Sequence, residues 1–393
     1  MHRAPAGCVP SALGALTVAI AEAANDRPKH HNRAPRIGLY VGVTMPRQCE
    51  RAAGLRAVGP EQESETAPPA VLSDDPNRVR TADRRLATLL GAAAIAARPC
   101  EAILFSGGLD TSIVASLAVR CGLRLAITVV TGDEAPDLAY ANAMAAKLGL
   151  EHVVLRRSPD DLAASLPDLI RILGTFDGMF LRNDVVVLEG LREVARRGLT
   201  CCWTGDGADE LFAGYSFVFR RSPAEIESTI AHLARTMQFN GPRLGDTLGI
   251  DVRSPYLDPQ VVDLARSFQG EDLVLDHGGE RHGKAPLRRA FAELLGERHA
   301  FRRKDPIEIG SGATALKALM SARIGTFETE AAQVRADDGV TIRDAERLAY
   351  YRIYRAVHGG PPRGDPGLPK ECPDCHARGP EGTYCRVCGA YPI

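Results

Sequence analysis

The chain has 393 residues, 45% of them hydrophobic and 25% charged, with a formal net charge of −1. That balance is ordinary for a globular protein of two or more domains, and it excludes a global basic field for nucleic acid. No apolar run approaches the roughly 18 residues needed to span a bilayer.

Residues 1–80 hold several prolines and an acidic stretch at Glu61-Gln62-Glu63-Ser64-Glu65. Their one strand-like run is Ile37 to Val43, so they read as a poorly defined appendage, partly disordered. Ser11 to Ala24 is alanine-rich, but it contains Glu22 and is weakly hydrophobic, which argues against a signal peptide. From Thr81 the pattern sharpens. Thr81 to Ala97 predicts a helix with Thr81 as its N-cap. Ala102 to Phe105 is a short apolar strand, followed by a helix through Ile113, Val114, Leu117 and Ala118. Leu125 to Val130 and His152 to Leu155 read as strands around a helix over Pro136 to Leu148. Asp184 to Arg197 reads as a helix, and Thr200 to Thr204 as a further strand. Strands alternating with helices imply an α/β fold, a parallel sheet with helices on both faces. Residues 222–358 read as mostly helical, Gly359 to Pro369 as a linker, and residues 371–393 as a cysteine module.

Two loops carry candidate chemistry. Ser106-Gly107-Gly108-Leu109-Asp110-Thr111-Ser112 joins a strand to a helix. Glycines let backbone approach an anion, and a helix N-terminus offers free N–H groups. Asp110 beside phosphate calls for a bridging cation such as Mg²⁺. By itself the segment also fits an ordinary capped turn. It is not a Walker loop, since Gly-Lys-Ser/Thr is absent. The second loop, Thr204-Gly205-Asp206-Gly207-Ala208-Asp209-Glu210-Leu211-Phe212-Ala213-Gly214-Tyr215, packs Asp206, Asp209 and Glu210 closely. Either a divalent cation or the dipole of a helix opening at Asp209 would accommodate them.

Together these segments are identified with a known family. The first resembles the pyrophosphate loop (PP-loop) of the N-type ATP pyrophosphatases, whose fold is adenine nucleotide alpha hydrolase-like. The second resembles the Ser-Gly-(Glu/Asp)-Gly-(Ala/Ser)-Asp-Glu-(Leu/Val)-Phe-Gly-Gly-Tyr signature of the asparagine synthetase family. Val252-Arg253-Ser254-Pro255-Tyr256-Leu257-Asp258, Gly283-Lys284-Ala285-Pro286-Leu287-Arg288 and Arg302-Arg303-Lys304-Asp305-Pro306-Ile307 with Gly310-Ser311-Gly312 resemble later family segments in the same order. The likeness covers roughly residues 81–325, within a domain expected over 81–358.

The resemblance implies a carbon–nitrogen ligase that adenylates a carboxylate, foremost aspartate, releasing pyrophosphate, and then forms an amide with ammonia or another amine. It implies ATP and Mg²⁺ as cofactors and a cytoplasmic location. Ser106, Gly107, Gly108, Thr111 and Ser112 would cradle pyrophosphate. Leu104, Val130, Thr204 and Gly205 would contact adenosine. Asp110 and Asp209 would hold magnesium. Lys284 would stabilise the leaving pyrophosphate, Asp206 would take a proton from the amine, and Arg253 would complete the catalytic set. Many members carry glutamate where this chain has Asp206, and Ala213 stands where Phe-Gly-Gly is usual. The family's glutamine-dependent members begin with a cysteine-nucleophile glutaminase. Here residue 2 is His and only about 100 residues precede the ATP loop, so the expectation is no intrinsic glutaminase and a nitrogen supply from ammonia, another amine or a separate glutaminase subunit.

Ten cysteines divide into two groups. Cys8, Cys49, Cys100, Cys121, Cys201 and Cys202 are scattered, as reduced cytosolic thiols would be. Cys372, Cys375, Cys385 and Cys388 form C-x₂-C-x₉-C-x₂-C, a spacing that suits tetrahedral Zn²⁺ in a zinc ribbon better than disulfides. Four cysteines close the site without His376. So short a module has little core of its own and should fold on metal. It would dock a partner, bind RNA or stabilise the C-terminus. The RNA-modifying alternative lacks support from any basic stripe.

Overall fold

The computed structural model describes residues 76–96, 100–364, 367–380 and 382–393. The Ser11–Ala24 segment, the strand read at Ile37–Val43, and Cys8 and Cys49 lie outside the described residues.

The core is a five-stranded, wholly parallel sheet: β1 (Ala102–Leu104), β2 (Leu125–Val130), β3 (Glu151–Arg156), β4 (Cys201–Trp203) and β5 (Asp251–Arg253). Its order is β3-β2-β1-β4-β5. β2 is buried along its whole length, as a strand covered on both faces must be. Helices supply the cover. One apolar cluster joins Pro76–Ala96 and Leu109–Ala118 to one face, through Leu86, Leu90, Ile113 and Leu117. A second joins Pro159–Leu173, Gly178–Arg196 and Ala345–His358 to the other, through Leu166, Ile170, Leu188 and Tyr351. From β1 the chain runs outward to β2 and β3 on one side, and later returns to β4 and β5 on the other. The strand order therefore reverses between β1 and β4, where open α/β sheets form ligand crevices at the carboxyl ends of their strands.

Several expectations shift. The first helix begins at Pro76, upstream of the expected Thr81 cap, and Thr81 Oγ1 donates instead to Asn77 O, a turn behind it. The helix expected from Asp184 begins at Gly178, where Asp177 caps it by accepting from Met179 N. Pro159–Leu173 is helical although the sequence reading did not single it out. Ser158 and Asp161 close a reciprocal capping box at its start, a signal present in the sequence. Residues 222–358 are mostly helical, interrupted by β5 and by an antiparallel hairpin, Val274–His277 with Glu280–Gly283.

The reading of six scattered thiols is corrected at one pair. Cys100 and Cys201 form a disulfide, with Cα atoms 5.2 Å apart. Sequence separation hid this contact. β1 and β4 are parallel neighbours, with Ala102 opposite Cys202, so Cys100 and Cys201 meet at their amino ends. Cys202 stays free and buried, and Cys121 free and half-buried.

The C-terminal cysteine module is packed into the body of the molecule. Cys372, Cys375, Cys385 and Cys388 are all buried in the second apolar cluster, beside Phe176, Tyr351 and Tyr354. A module too small for its own core thus borrows that of its neighbour.

Candidate active site at the β1–β4 crevice

The loop after β1 turns through Gly107, whose φ is +64°. A Cβ there would stand 2.3 Å from Ala141 N, so the loop lies directly on helix Pro136–Leu148. Gly108 N donates to Ser106 Oγ at 3.2 Å, and Ser106 Oγ lies 3.2 Å from Thr111 Oγ1. Ser112 Oγ is buried with no hydrogen-bond partner among the described residues. An orphaned hydroxyl beside free helix N–H groups suits an oxyanion that completes its bonding.

The loop after β4 approaches from the other side of the switch point. Thr204 N donates to Arg253 O at 2.8 Å and keeps the loop in line with β5. Gly205 passes so near Asp110 that a Cβ would stand 3.0 Å from the Asp110 Cβ. Gly207, with φ +95°, opens the helix Ala208–Leu211. That helix is a single turn, so its dipole is too small to account for Asp209 and Glu210. Side chains hold them instead. Lys284 Nζ donates to Asp110 at 2.8 and 2.6 Å and pairs with Asp209 Oδ1 at 2.8 Å. Lys304 Nζ reaches Asp209 Oδ2 at 2.6 Å, and Tyr215 donates its hydroxyl to Glu210.

Lys284 is positioned with unusual care. It is 2% exposed and adopts a left-handed backbone with φ +58°, which a residue bearing a Cβ takes up at a cost of about 1–2 kcal/mol. Its N–H donates to Phe212 O at 2.7 Å. A Cβ on Gly283 would stand 1.8 Å from Ala213 O, and one on Gly214 would collide with Asp209 Oδ1 at 2.0 Å. The two segments therefore lock together backbone to backbone. Arg288 Nε donates to Gly283 O at 2.8 Å and its other arm reaches Ala300 O, joining this turn to the segment that carries Lys304.

Burial and charge oppose each other here. Burial holds Asp110 above the usual carboxylate range even with Lys284 beside it. Burial pushes the same way on Asp209, but Lys284 and Lys304 outweigh it and hold that carboxyl well below the range. Burial would lower Lys284, yet Asp110 and Asp209 hold it above its ordinary value. Asp206 has no such cation among the described residues. Burial, reinforced by Glu210 and Asp209, pushes it up to about 6 despite a hydrogen bond with Thr204.

Of the residues expected from sequence, the fold brings Ser106, Gly107, Gly108, Asp110, Thr111, Ser112, Thr204, Gly205, Asp206, Asp209 and Lys284 to this crevice. Leu104 and Val130 close β1 and β2 beside it, and Gly190, lacking a Cβ, leaves room for the Leu104 side chain. The Arg253 guanidinium pairs with Asp251 on its own strand. Sequence reasoning assigned no role to four neighbours. Lys304 binds Asp209. Arg302 donates to Ser106 O at 3.2 Å, pairs with Asp137, and stacks 4.1 Å over the Tyr140 ring. Tyr256 donates its hydroxyl to Asp110 O at 3.2 Å, and Tyr215 lies beneath Lys304. Arg302 and Lys304 stood in a recognised motif, so their signal was available.

Two carboxylates within 2.8 Å of one ammonium are within reach of a single cation. They fit Mg²⁺, provided Lys284 gives way. The four cysteine sulfurs fit Zn²⁺ more directly. They lie within 4.8 Å of one another, and the pairs Cys372–Cys388 and Cys375–Cys385 are 3.6 Å apart. Tetrahedral coordination at about 2.3 Å per bond needs sulfur separations of about 3.8 Å. His376 faces elsewhere, toward Glu371 and Gly339 O.

Fold and crevice together define a class: an open parallel α/β domain with an anion cradle and a carboxylate–lysine cluster at its topological switch point. The family model for asparagine synthase matches residues 91–244 and 229–336, and the chain belongs to that family. It is 27% identical over 290 residues to a probable glutamine-hydrolyzing asparagine synthetase of Dictyostelium discoideum, covering 66% of this chain and 52% of that protein. It is 27% identical over 230 residues to asparagine synthetase 2 of Lotus japonicus, covering 53% and 39%. Against asparagine synthetase B of Escherichia coli K12 it is 25% identical over 256 residues, covering 59% and 46%. The chain thus spans about half the length of these relatives, or less. NMN synthetase of Francisella tularensis overlays 72% of this chain and 94% of its own with 14% identity, at a TM-score of only 0.32.

Proposed function

We propose that this chain is an ATP-dependent amide-forming ligase that adenylates an amino-acid carboxylate, foremost that of aspartate. The observation that carries the reading is the Asp110–Lys284–Asp209 bridge across two loops at the carboxyl ends of adjacent parallel strands. A carboxylate oxygen of the substrate attacks the α-phosphorus of ATP, and the bond to pyrophosphate breaks. Ammonia or another amine then attacks the acyl carbon, AMP leaves, and one proton is released.

The side chains divide this work. Ser106, Gly108, Thr111 and Ser112 face the pyrophosphate, and the orphaned Ser112 hydroxyl donates to it. Asp110 and Asp209 would hold Mg²⁺, which supplies neutralising charge at the phosphate oxygens. Lys284 would turn its ammonium toward the leaving group once Asp110 and Asp209 no longer hold it. Leu104, Val130, Thr204 and Gly205 border the adenosine. Asp206 accepts the proton of the attacking amine, a role that requires its ionised form.

The decisive assay is pyrophosphate release by purified protein over a panel of amino acids, with ammonia as nitrogen donor. The expected result is release that depends on L-aspartate and yields asparagine. Release with no amino acid in the panel would refute the reading, and glutamine-driven turnover matching that of ammonia would refute ammonia as the direct donor.

A further inference from the structure

The cysteine module lies beside helix Gly178–Arg196, whose Asp184 neighbours the crevice residue Asp206. Its second knuckle, Cys385-Arg386-Val387-Cys388, is held to the chain segment ahead of helix Gly178–Arg196. Thr175 Oγ1 donates to Arg386 O at 2.8 Å and to Val387 O at 3.0 Å, and Phe176 N donates to Val387 O at 2.8 Å. Tyr384 donates its hydroxyl to the cap residue Asp177. Gly389, with φ +75°, leaves no room for a Cβ, which would stand 2.6 Å from Asp177 Oδ1. The backbone of Arg386 is therefore fixed from both sides.

Its side chain is not spent on that docking. Other arginines of this half of the chain are paired: Arg182 with Glu308 and Glu346, Arg302 with Asp137, Arg343 with Asp374. Arg386 has no ion-pair partner among the described residues. Its guanidinium lies 4.8 Å over the Phe180 ring and makes one long contact, 3.5 Å, to Gln238 O. It faces an acidic wall. Asp184 lies within its electrostatic reach and accepts from Asn240 Nδ2 at 2.6 Å. The next residue, Gly241, has its Cβ position 3.5 Å from Asp206 Oδ2. The Asn240–Gly241 turn thus links Asp184 to Asp206, and Asp206 belongs to the loop that supplies Asp209. Arg386 therefore stands beside Asp184, and Asp184 beside Asp206, and neither carboxylate has an ion-pair partner among the described residues; the neighbouring Arg243 is spent on the carbonyls of Ile172 and Leu173.

A ligand complementary to that arrangement carries one carboxylate and one ammonium. We propose that the cysteine knuckle is a rigid arm that presents Arg386 as the carboxylate-binding residue for an amino-acid substrate, whose ammonium faces Asp184 and Asp206. The substrate class rests on the ligase reading above; the binding site itself does not. The fork of a guanidinium suits a carboxylate in two-point contact, and Phe180 sets the plane of that fork. The module's function is then to build the acceptor side of the site, and its zinc acts at a distance through the knuckle.

Zinc-loaded full-length protein tests this by calorimetric titration with each of the twenty amino acids, alongside the pyrophosphate assay. Wild type should bind at least one of them, L-aspartate foremost. Arg386→Ala should weaken that binding by about 10- to 100-fold, the range set by one charge-assisted contact. Its zinc content, thermal unfolding and affinity for ATP should stay those of wild type. Phe180→Leu, which keeps the cation and frees its orientation, should give a smaller loss in the same direction. Wild type binding no amino acid overturns the proposal. So does Arg386→Ala binding as wild type does, or a weakening that appears only together with lost zinc. Arg386-dependent binding without pyrophosphate release would uphold the site and refute the ligase reading instead.

Discussion

The chain gathers like-charged ligand groups in two places, and it treats them oppositely. At the crevice, Asp110 and Asp209 are already neutralised by the chain's own Lys284 and Lys304. At the C-terminus, the four cysteine sulfurs have only one another among the described residues, 3.6 Å apart in two pairs, and the nearby Arg343 is bonded to Asp374. A site that carries its own cations tolerates an exchangeable metal that arrives with substrate. A cluster of thiolates without cations would not, and would need a metal as part of the fold. The same contrast separates chemistry that turns over from architecture that must not.

The strongest way to break this contrast is to remove each metal in turn. Stripping zinc, or making Cys385→Ser, should destabilise the protein by about 5 kcal/mol or more, because a structural thiolate site contributes directly to folding. Calorimetric melting should show it as a large fall in Tm. Chelating Mg²⁺ alone should stop turnover and leave Tm in place. Equal effects of the two treatments on Tm would erase the distinction.

Lys284→Ala comes next. It removes the cation aimed at pyrophosphate and should lower kcat by about 10³-fold, or about 4 kcal/mol. It also leaves two buried carboxylates facing each other, a defect worth about 3 kcal/mol in the metal-free protein. Mg²⁺ should restore much of that stability and none of the rate. A variant whose Tm is indifferent to Mg²⁺ would show that the metal does not take the place of the ammonium.

The ligand groups on both sides of this contrast were legible in the sequence, and the neighbours that set their surroundings were not. Asp110, Asp209 and Lys284 stand in ordered motifs, and the four cysteines are close in sequence, so their identities could be read directly. The order of β2, β1 and β4 followed from nothing local, and with it went the Cys100–Cys201 contact, whose partners are 101 residues apart. Arg386 was unreadable for the same reason. A knuckle residue between two cysteines has no visible tie to Asp184 or Asn240 until helix Gly178–Arg196 brings them together. Gly283 and Gly214 looked like turn residues, and only the collision their missing Cβ atoms avoid reveals that they fasten Lys284 to the Asp209 loop.

Asp206 and Asp184 sharpen the contrast from a third side, as half-buried carboxyls with no lysine partner among the described residues. Burial pushes Asp206 up to about 6 and Asp184 up to about 7, with Asn240 offsetting part of the latter. The folded chain therefore keeps protons that the unfolded chain, with carboxyls at 3.8, has already released. Stability from these groups is full below pH about 4 and falls as pH rises through the window to about 7. Asp184→Asn, which can still accept from Asn240, should stabilise the protein by about 2 kcal/mol at pH 8 and by almost nothing at pH 4. Denaturant unfolding at the two pH values would reveal a burden that does not depend on pH. Turnover should fall on the acid side of about pH 6 as Asp206 gains its proton, and Asp206→Asn should abolish that limb together with the activity.

The smallest expected effect separates strain that serves the site from strain that does not. Ala213 and Lys284 both adopt left-handed backbone, with φ of +55° and +58°. Family members usually carry glycine at the position of Ala213, and its methyl is buried. Ala213→Gly should relieve about 1 kcal/mol of backbone strain and lose most of it again to the greater freedom of the unfolded chain and the lost methyl packing, so Tm should move by only a few degrees at most. Turnover should be unchanged, because Lys284 N still meets Phe212 O and Gly283 still lies on the Ala213 carbonyl. Lys284→Gly relieves the same strain and removes the ammonium, so its loss of rate should match that of Lys284→Ala. If Ala213→Gly instead lowers kcat while sparing Tm, the conformation at residue 213 contributes to holding Lys284 in place, and the two strained residues act as one unit.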